Sequence, residues 1–496
     1  MLYKILSLTI IFIFSVRLIN AQIYVSPEGN DLNPGTIDKP YKSISFAMNY
    51  ANPGTTIYLR GGVYELSSTI RPPRSGTEGK YINLLAYPGE IPILDFSKQS
   101  YSSSDRGFNL SKDYWYFKGI VIRNAGDNGI NLSGSHNIIE NCIFYYNKDT
   151  GLQISGGGGY NYIYNCDSFE NYDSATHGEN ADGFAPKLDV GPGNVFRGCR
   201  AWSNADDGWD FYDAQYEVIL DSCWSFDNGY NIWGDLNYQG DGNGFKVGSS
   251  NISTHHLLMN CIAFGNKAKG FDQNHNGAGV TILNCTGIEN HNKNFSFPEV
   301  PQNGVDSLIN NLSFKGDISI ETSSVQLTNS WNGFTVSSTD FISLDTSLAK
   351  SPRTSDNSVS QTDLFRLARS SSLIDAGTNV GLFYNGDAPD IGAFESDYIT
   401  GVNSAGNKPL DFGLLQNYPN PFNPSTIIEY TVPFQSRIVL IVYNLAGQKV
   451  RELVNKELPA GKYSVIFNSG ELASGIYFYE ISDGSRALLK KMILIK

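Results

Sequence analysis

The chain has 496 residues, of which 17% are charged and 13% aromatic, with 50 glycines and a formal net charge of -13. This length predicts two or three domains, and the composition predicts turn-rich β-structure while excluding a helical bundle or an extensively disordered chain. The negative charge argues against a nucleic-acid partner, which needs a basic surface. An acidic ligand would have to be attracted by a metal or by a local basic cluster.

Residues 1–21, MLYKILSLTIIFIFSVRLINA, are typical of a secretory signal peptide. Lys4 gives the positive start, ILSLTIIFIFSV is the apolar run, and Ala21 is a small residue at the expected cleavage site. A membrane anchor is the alternative. Arg17 ends the apolar run early, which favours the cleaved signal.

Six cysteines recur through the chain, each inside an alternating β-pattern and each followed five residues later by an asparagine. The cysteines are Cys142, Cys166, Cys199, Cys223, Cys261 and Cys285, and the asparagines are Asn147, Asn171, Asn204, Asn228, Asn266 and Asn290. A basal period of about two dozen residues with strand character predicts a parallel β-helix with one coil per repeat. Longer spacings then mark loops inserted into regular coils.

Equivalent residues of successive coils should stack about 4.8 Å apart. The cysteines would form an internal ladder of small apolar side chains, and the asparagines a ladder of side-chain amides at a turn. That spacing also lies within the Cα separation of a disulfide, so bridged neighbours are the alternative to the free thiols that we favour.

A second landmark follows the cysteines: one residue, a glycine, a large apolar residue and one further residue. Its copies are Asn128–Asn131, Thr150–Gln153, Asp182–Ala185, Asp207–Asp210, Asn243–Lys246 and Lys269–Asp272. Glycine suits the bend into a strand, and the apolar residue points inward. The first and fourth positions then face outward along one side of the helix.

Four aspartates converge on this outward side. Asp182 and Asp207 hold the same position in neighbouring coils, Asp206 precedes Asp207, and Asp210 is one short strand step away. Adjacent carboxylates are stable only if solvent screens them or a cation holds them, and this number of hard oxygen ligands suits Ca²⁺. We therefore interpret the four as calcium ligands, with a patch of solvated surface aspartates as the alternative.

Lys246 holds the fourth position one coil after Asp210. A bound cation nearby would lower the pKa of this lysine, and a neutral lysine is a competent general base. We therefore predict that Lys246 is a base, with a simple salt bridge to Asp210 as the alternative. A lysine base must be neutral, which also predicts an alkaline activity optimum.

A divalent cation beside a lysine base predicts β-elimination on a uronic acid polymer. The cation acidifies the C5 proton, Lys246 removes it, and the C4 oxygen leaves to give a 4,5-unsaturated sugar. A hydrolase would need a paired acid and nucleophile or base, which Asp206, Asp207 and Asp210 could supply. A non-catalytic glycan-binding β-helix with structural Ca²⁺ is a further alternative.

Several strings resemble the pectate lyases of polysaccharide lyase family 9, and the resemblance covers nearly all of residues 22–395. The strings are ADGFAPKL (181–188), GNVFRGCRAWSNADDGWDFY (193–212), GDGNGFKVG (240–248) and GFDQNHN (270–276). The segment 24–66 resembles the start of the family, where residues 43–51 would form a short amphipathic helix that caps the solenoid. Residues 371–395 resemble its end.

This resemblance implies an all-β, right-handed parallel β-helix of the pectin lyase-like kind, acting on homogalacturonan. It also implies Lys246 as the Brønsted base and a catalytic Ca²⁺ held by Asp182, Asp206, Asp207 and Asp210. The family also includes enzymes that act on rhamnogalacturonan I, and the motifs at the calcium site do not decide between the two substrates.

Two inserted segments are predicted to wall the substrate cleft: NYDSATHGEN (171–180) and GYNIWGDLNYQGD (229–241). Lys187 and Lys269 are candidates to pair with substrate carboxylates, since Lys269 should lie one coil beyond Asn243. For both lysines, an exposed side chain without a role is the alternative.

A polar linker is predicted at 396–411, followed by short strand-like segments at 412–496 that predict a small immunoglobulin-like β-sandwich. The strings PNPFNPST and SGIYFYEI closely resemble the sorting domain of the type IX secretion system. This resemblance implies that the type IX secretion machinery is a partner of the chain and that the protein is exported through the outer membrane. A carbohydrate-binding module is the alternative, and we expect a monomer.

Overall fold

The computed structural model describes residues 22–354, 359, 362–382, 384–396 and 412–494, apart from 418–419, 421, 423–424, 446, 460, 471 and 485. The predicted signal peptide and the linker from 397 onward lie outside the described residues. Within them, no helix is long and apolar enough to cross a bilayer.

Three parallel sheets form the faces of a β-helix, and each strand pairs with its counterpart one coil away. The first sheet has twelve strands: Gln22–Val25, Thr56–Leu59, Ile82–Ala86, Trp115–Lys118, Ile138–Glu140, Tyr162–Tyr164, Asn194–Arg197, Val218–Asp221, Leu257–Met259, Thr281–Leu283, Ser307–Ile309 and Val325–Leu327. Its strands alternate between buried and less buried residues, as expected when one sheet face covers the core.

The second sheet has ten strands: Gly62–Glu65, Pro92–Asp95, Val121–Arg123, Ile143–Tyr145, Asp167–Phe169, Arg200–Trp202, Trp224–Phe226, Ile262–Phe264, Thr286–Ile288 and Leu312–Phe314. The third sheet has nine: Phe108–Leu110, Ile130–Leu132, Leu152–Ile154, Phe184–Pro186, Trp209–Asp210, Phe245–Lys246, Lys269–Asp272, Lys293–Phe297 and Asp317–Ile320. These three-sided coils confirm the predicted parallel β-helix.

A short α-helix, Ile44–Tyr50, follows the first strand and buries Ile44, Ala47 and Met48 in the solenoid core. The predicted capping helix at residues 43–51 is therefore confirmed. It covers apolar surface at the end of the solenoid, where there is no preceding coil to do so.

Both predicted ladders are present inside the solenoid. All six cysteines are buried with free thiols, which confirms the thiol ladder over disulfides. In the amide ladder, Asn171 Nδ2 donates to Asn204 Oδ1 at 2.8 Å, and Asn204 Nδ2 donates to Asn228 Oδ1 at 3.1 Å. A second amide ladder, which the cysteine repeat does not predict, runs through Asn137, Asn161 and Asn194.

The described residues between 328 and 396 form no further coil. Trp331 packs on Phe295 at the end of the core, with ring centroids 5.2 Å apart, and later residues such as Leu364 pack against the outer face of the second sheet. This segment includes two 3₁₀ helices, Ser338–Asp340 and Thr346–Lys350. The ring of Phe365 meets that of Phe264 at 5.0 Å between centroids, and Arg353 forms an ion pair with the buried Asp167. The coils thus end at Leu327, and the rest of the predicted domain covers aromatic surface on the second sheet.

Residues 412–494 form two antiparallel sheets around a separate core. One sheet contains Gly413–Leu414, Ser425–Val432 and Gly461–Asn468, and the other contains Ser436–Asn444, Lys449–Leu458, Gly475–Ser482 and Ala487–Leu494. Buried residues of both sheets, including Ile428, Phe467, Leu440 and Tyr479, share one apolar cluster. This arrangement is the small β-sandwich expected from the sequence.

Candidate active site

Consecutive strands of the third sheet bring the predicted site residues together. Phe184, Trp209, Phe245 and Phe271 point inward and stack with ring centroids 4.8, 5.0 and 5.0 Å apart. This buried column fixes the register of the coils.

The register pairs Phe184 with Trp209 and therefore places Asp182 beside Asp207, and it pairs Asp210 directly with Lys246. Gly208 allows the close approach of the chain at this point. A Cβ atom there would lie 1.9 Å from Ser225 Oγ and 2.7 Å from the carbonyl oxygen of Gly244.

Five carboxylates gather on the outer side of these coils. Oxygen atoms of Asp182, Asp207 and Asp210 lie within 4.8 Å of one another, as do those of Asp206, Asp207 and Asp241. The four predicted aspartates are each at most 4% exposed. Asp241 is exposed and belongs to the second insert, so the coil repeat could not identify it; the acidic GDG string beside Asn243 was the available signal.

Main-chain amides hold most of these carboxylates in place. Asp207 Oδ1 accepts from the Asn243 N–H at 2.6 Å, and Asp182 Oδ1 accepts from the Asp207 N–H at 3.1 Å. Asp206 accepts from the N–H groups of Asn180, at 2.9 Å, and of Asp241, at 2.7 Å. Because these two residues end the two inserts, Asp206 secures both inserts to the cluster.

Asp207 Oδ2 is the atom that most clearly calls for a cation. It is buried and accepts no hydrogen bond from any described residue, and its charged neighbour is the Lys246 ammonium at 3.3 Å. A buried carboxylate oxygen needs such a cationic partner. Ca²⁺ accepts several carboxylate oxygens in flexible geometry. The donor set of this cluster therefore fits a calcium ion.

The pKa values of the acids reflect their crowding in the absence of a cation. Burial raises the pKa of Asp206 to about 7, and the charge of Asp182 adds to that rise. Burial also raises the pKa of Asp182, although the Lys187 ammonium opposes the shift. A cation that neutralised these carboxylates would oppose both shifts.

Lys246 extends its ammonium into the cluster. Its Nζ lies 3.3 Å from Asp207 Oδ2, 3.4 Å from Asp241 Oδ2 and 3.9 Å from Asp210 Oδ1. Burial by itself lowers the pKa of Lys246, but the surrounding carboxylates, Asp207 first, raise it above the ordinary lysine value. The expected lowering of this pKa therefore depends on a cation that neutralises the same carboxylates.

The two lysines predicted to contact substrate both have carboxylate partners within the protein. Lys187 is 6% exposed, and its Nζ lies 2.7 Å from Asp182 Oδ2 and 3.2 Å from Asp210 Oδ2. Lys269 is half-buried, one coil beyond Asn243 as expected, and its Nζ lies 2.9 Å from Asp272 Oδ2. Contact of either lysine with substrate stays a prediction.

The two inserts pack against each other beside the cluster. The ring of Tyr172 stacks on that of Trp233 at 4.7 Å. Asp235 Oδ2 accepts from Tyr172 Oη at 2.6 Å and lies 3.0 Å from His177 Nδ1. The Gln239 N–H donates to the His177 carbonyl oxygen at 2.9 Å. The inserts therefore form one continuous wall next to the carboxylates.

Fold and site together define a parallel β-helix protein that carries, on one side, a carboxylate cluster of the kind that can hold a metal ion. Residues 23–310 match the family model for the Pel9A-like right-handed beta helix region, so the chain belongs to that family. Residues 416–496 match the secretion system C-terminal sorting domain. This type IX sorting domain indicates that the protein is secreted or held at the cell surface.

Individual relatives agree with the family assignment. Pectate lyase L of Dickeya dadantii is 42% identical over 383 residues, which span 75% of this chain and 90% of the relative. The crystal structure of pectate lyase Pel9A is 41% identical, with a TM-score of 0.73 over 76% of this chain and 96% of that one. A solved rhamnogalacturonan lyase is 28% identical, with a TM-score of 0.63 over 70% of this chain and 97% of that one.

Proposed function

We propose that this protein is a Ca²⁺-dependent pectate lyase that cleaves α-1,4-linked galacturonan by β-elimination. Family membership and the pectate lyase L relative support pectate lyase activity. The observation that carries the finer proposal is the position of Lys246, whose Nζ lies 3.3 Å from the buried Asp207 Oδ2 within a cluster of buried aspartates.

The four aspartates predicted from the sequence would hold the metal: Asp182, Asp206, Asp207 and Asp210. When bound, Ca²⁺ would polarise the uronate carboxylate and so make the adjacent C5 proton more acidic. Lys246 Nζ accepts that proton, the C5–H electron pair forms the C4–C5 double bond, and the C4–O bond breaks. The leaving oxygen takes a proton from solvent, and the products are 4,5-unsaturated oligogalacturonides.

Lys269 is the better supported of the two proposed substrate contacts. Its side chain is 31% exposed at the edge of the cluster, where it can pair with a uronate carboxylate of the polymer. The same role for Lys187 would require its ammonium to leave Asp182 and Asp210.

A lyase acting on rhamnogalacturonan I is the second candidate, and the likeness to a solved rhamnogalacturonan lyase favours it. That backbone also carries galacturonate, so Lys246 and the aspartates would perform the same elimination. The difference would arise in the wall formed by the inserts at 171–180 and 229–241, which lies beside the cluster.

Near-UV absorbance on polygalacturonate, with Ca²⁺ and with EDTA, tests this function because only elimination creates the absorbing double bond. Absorbance growth that EDTA abolishes is the expected result. Absorbance growth on rhamnogalacturonan I alone would move the substrate to the second candidate. Chain cleavage without absorbance would indicate a hydrolase, and polymer binding without cleavage a glycan-binding β-helix.

A further inference from the structure

We infer that Lys187 is a resident cation of the carboxylate cluster, a positioning residue that holds two proposed calcium ligands in place and offsets their charge. This role differs from the substrate contact predicted from the sequence. It deepens the proposed function and depends on it for the identity of the metal.

Both aspartates that contact Lys187 have each of their two carboxylate oxygens held by a contact within the protein. Asp182 Oδ1 accepts from the Asp207 N–H, and Asp210 Oδ1 accepts from the Tyr212 N–H at 3.0 Å. The remaining oxygen of each aspartate contacts Lys187 Nζ, at 2.7 Å for Asp182 and 3.2 Å for Asp210. The carboxylates are therefore oriented before any metal arrives.

The backbone and surroundings of Lys187 hold its ammonium against Asp182 and Asp210. The Lys187 N–H donates to the Ile154 carbonyl oxygen at 3.2 Å in the sheet ladder. Its side chain is 8% exposed, against 31% for Lys269. A buried ammonium that left its carboxylates would lose both of its ionic partners, which is strongly unfavourable.

The positive charge of Lys187 also affects substrate binding, because it reduces the negative charge of the cluster that the acidic polymer meets. Five carboxylates around one divalent cation, Asp241 included, leave three negative charges, and these would repel a polymer of uronates. Protonated Lys187 and Lys246 offset two of the three. When Lys246 is neutral and acts as a base, Lys187 still places an ammonium against two of the four aspartates, Asp182 and Asp210.

The test measures the melting temperature of Lys187→Met and the wild type with EDTA and with saturating Ca²⁺. In EDTA the variant should melt well below the wild type because Asp182 and Asp210 lose their cation; with Ca²⁺ the two should converge. The calcium-induced shift should therefore at least double. Lys187→Arg, which keeps the charge, should return the shift toward the wild-type value.

Lys118→Met is the matched control. Lys118 Nζ lies 2.8 Å from the nearly buried Glu140 on the first sheet, so this substitution also strips a buried carboxylate of its lysine, but away from the cluster. Its calcium-induced shift should equal that of the wild type.

An equal loss of melting temperature for Lys187→Met in EDTA and in Ca²⁺ would overturn the inference in favour of plain packing. Failure of the variant to fold even in Ca²⁺ would overturn it as well. If Ca²⁺ does not change the melting temperature of the wild type, the proposed calcium site is wrong and the inference about Lys187 is wrong with it. With Ca²⁺ saturating, the variant should also show a rise in KM for polygalacturonate that exceeds its fall in kcat.

Discussion

Lys246 lies directly beside Asp210 in the register of the third sheet, yet its Nζ is nearer to Asp207, at 3.3 Å against 3.9 Å. The side chain leans toward the start of the neighbouring strand and into the centre of the carboxylates. Its protonation therefore depends on whether those carboxylates are neutralised, which links the proposed general base to the proposed calcium ion in a single cluster.

Replacing Lys246 by alanine should lower kcat on polygalacturonate by about 10²–10⁴-fold, the usual contribution of a general base. Calcium binding, measured by calorimetry, should persist because the four aspartates remain. Lys315→Ala removes an exposed lysine paired with Glu289 elsewhere and should leave kcat unchanged. Full activity of Lys246→Ala would exclude this residue as the base.

Asp207→Asn should abolish the calcium-induced rise in melting temperature, and it should lower the melting temperature in EDTA because the buried Lys246 ammonium loses its nearest carboxylate. The amide keeps an oxygen for the Asn243 N–H but removes one charge from the proposed metal site. Asp189→Asn, at an exposed aspartate, serves as the control. A preserved calcium response in Asp207→Asn would count against the site.

Acid should destabilise the protein in part through His256, which is 1% exposed. Burial, and then the charge of His255, lowers the pKa of His256 to about 3. The unfolded chain, with a histidine pKa near 6.5, binds this proton more readily, so the stability from neutral His256 is present above about pH 6.5 and is lost as the pH falls toward 3.

The loss at His256 amounts to about 2 kcal/mol at about pH 5. Denaturant unfolding of His256→Gln should therefore show a stability deficit against the wild type that shrinks from about pH 7 to about pH 5. His291→Gln, at an exposed histidine, is the control. A pH-independent deficit for His256→Gln would contradict the assignment.

Asn204→Ala should cost at least about 2 kcal/mol of unfolding free energy, because it leaves buried amide groups without partners. Asn204 Oδ1 accepts from both the N–H and Nδ2 of Asn171, and Asn204 Nδ2 donates to Asn228. Chemical denaturation measures the change, and Asn237→Ala, at an exposed asparagine of the second insert, is the control. A loss comparable with that of the control would show that the ladder hydrogen bonds of Asn204 do not stabilise the fold.

The sequence repeat predicts the coils and most of the candidate site, because residues at the same position of the repeat lie next to each other in successive coils. It placed Asp182 beside Asp207 and Asp210 beside Lys246, and the structure has both pairs. Asp241 was missed because it lies in an insert that no other coil repeats. The long side chain of Lys187 can point several ways from one backbone position, so the register alone did not locate its ammonium.

Asp206 accepts amide protons from the last residues of both inserts, Asn180 and Asp241. Because the donors are main-chain N–H groups, a side-chain change at either base would keep these contacts, whereas an insertion or deletion there would displace a proposed metal ligand. The tip of the second loop is free of that constraint, since Leu236 is 99% exposed and Ile232 is 56% exposed. New polymer preferences can therefore arise there while the chemistry is inherited intact.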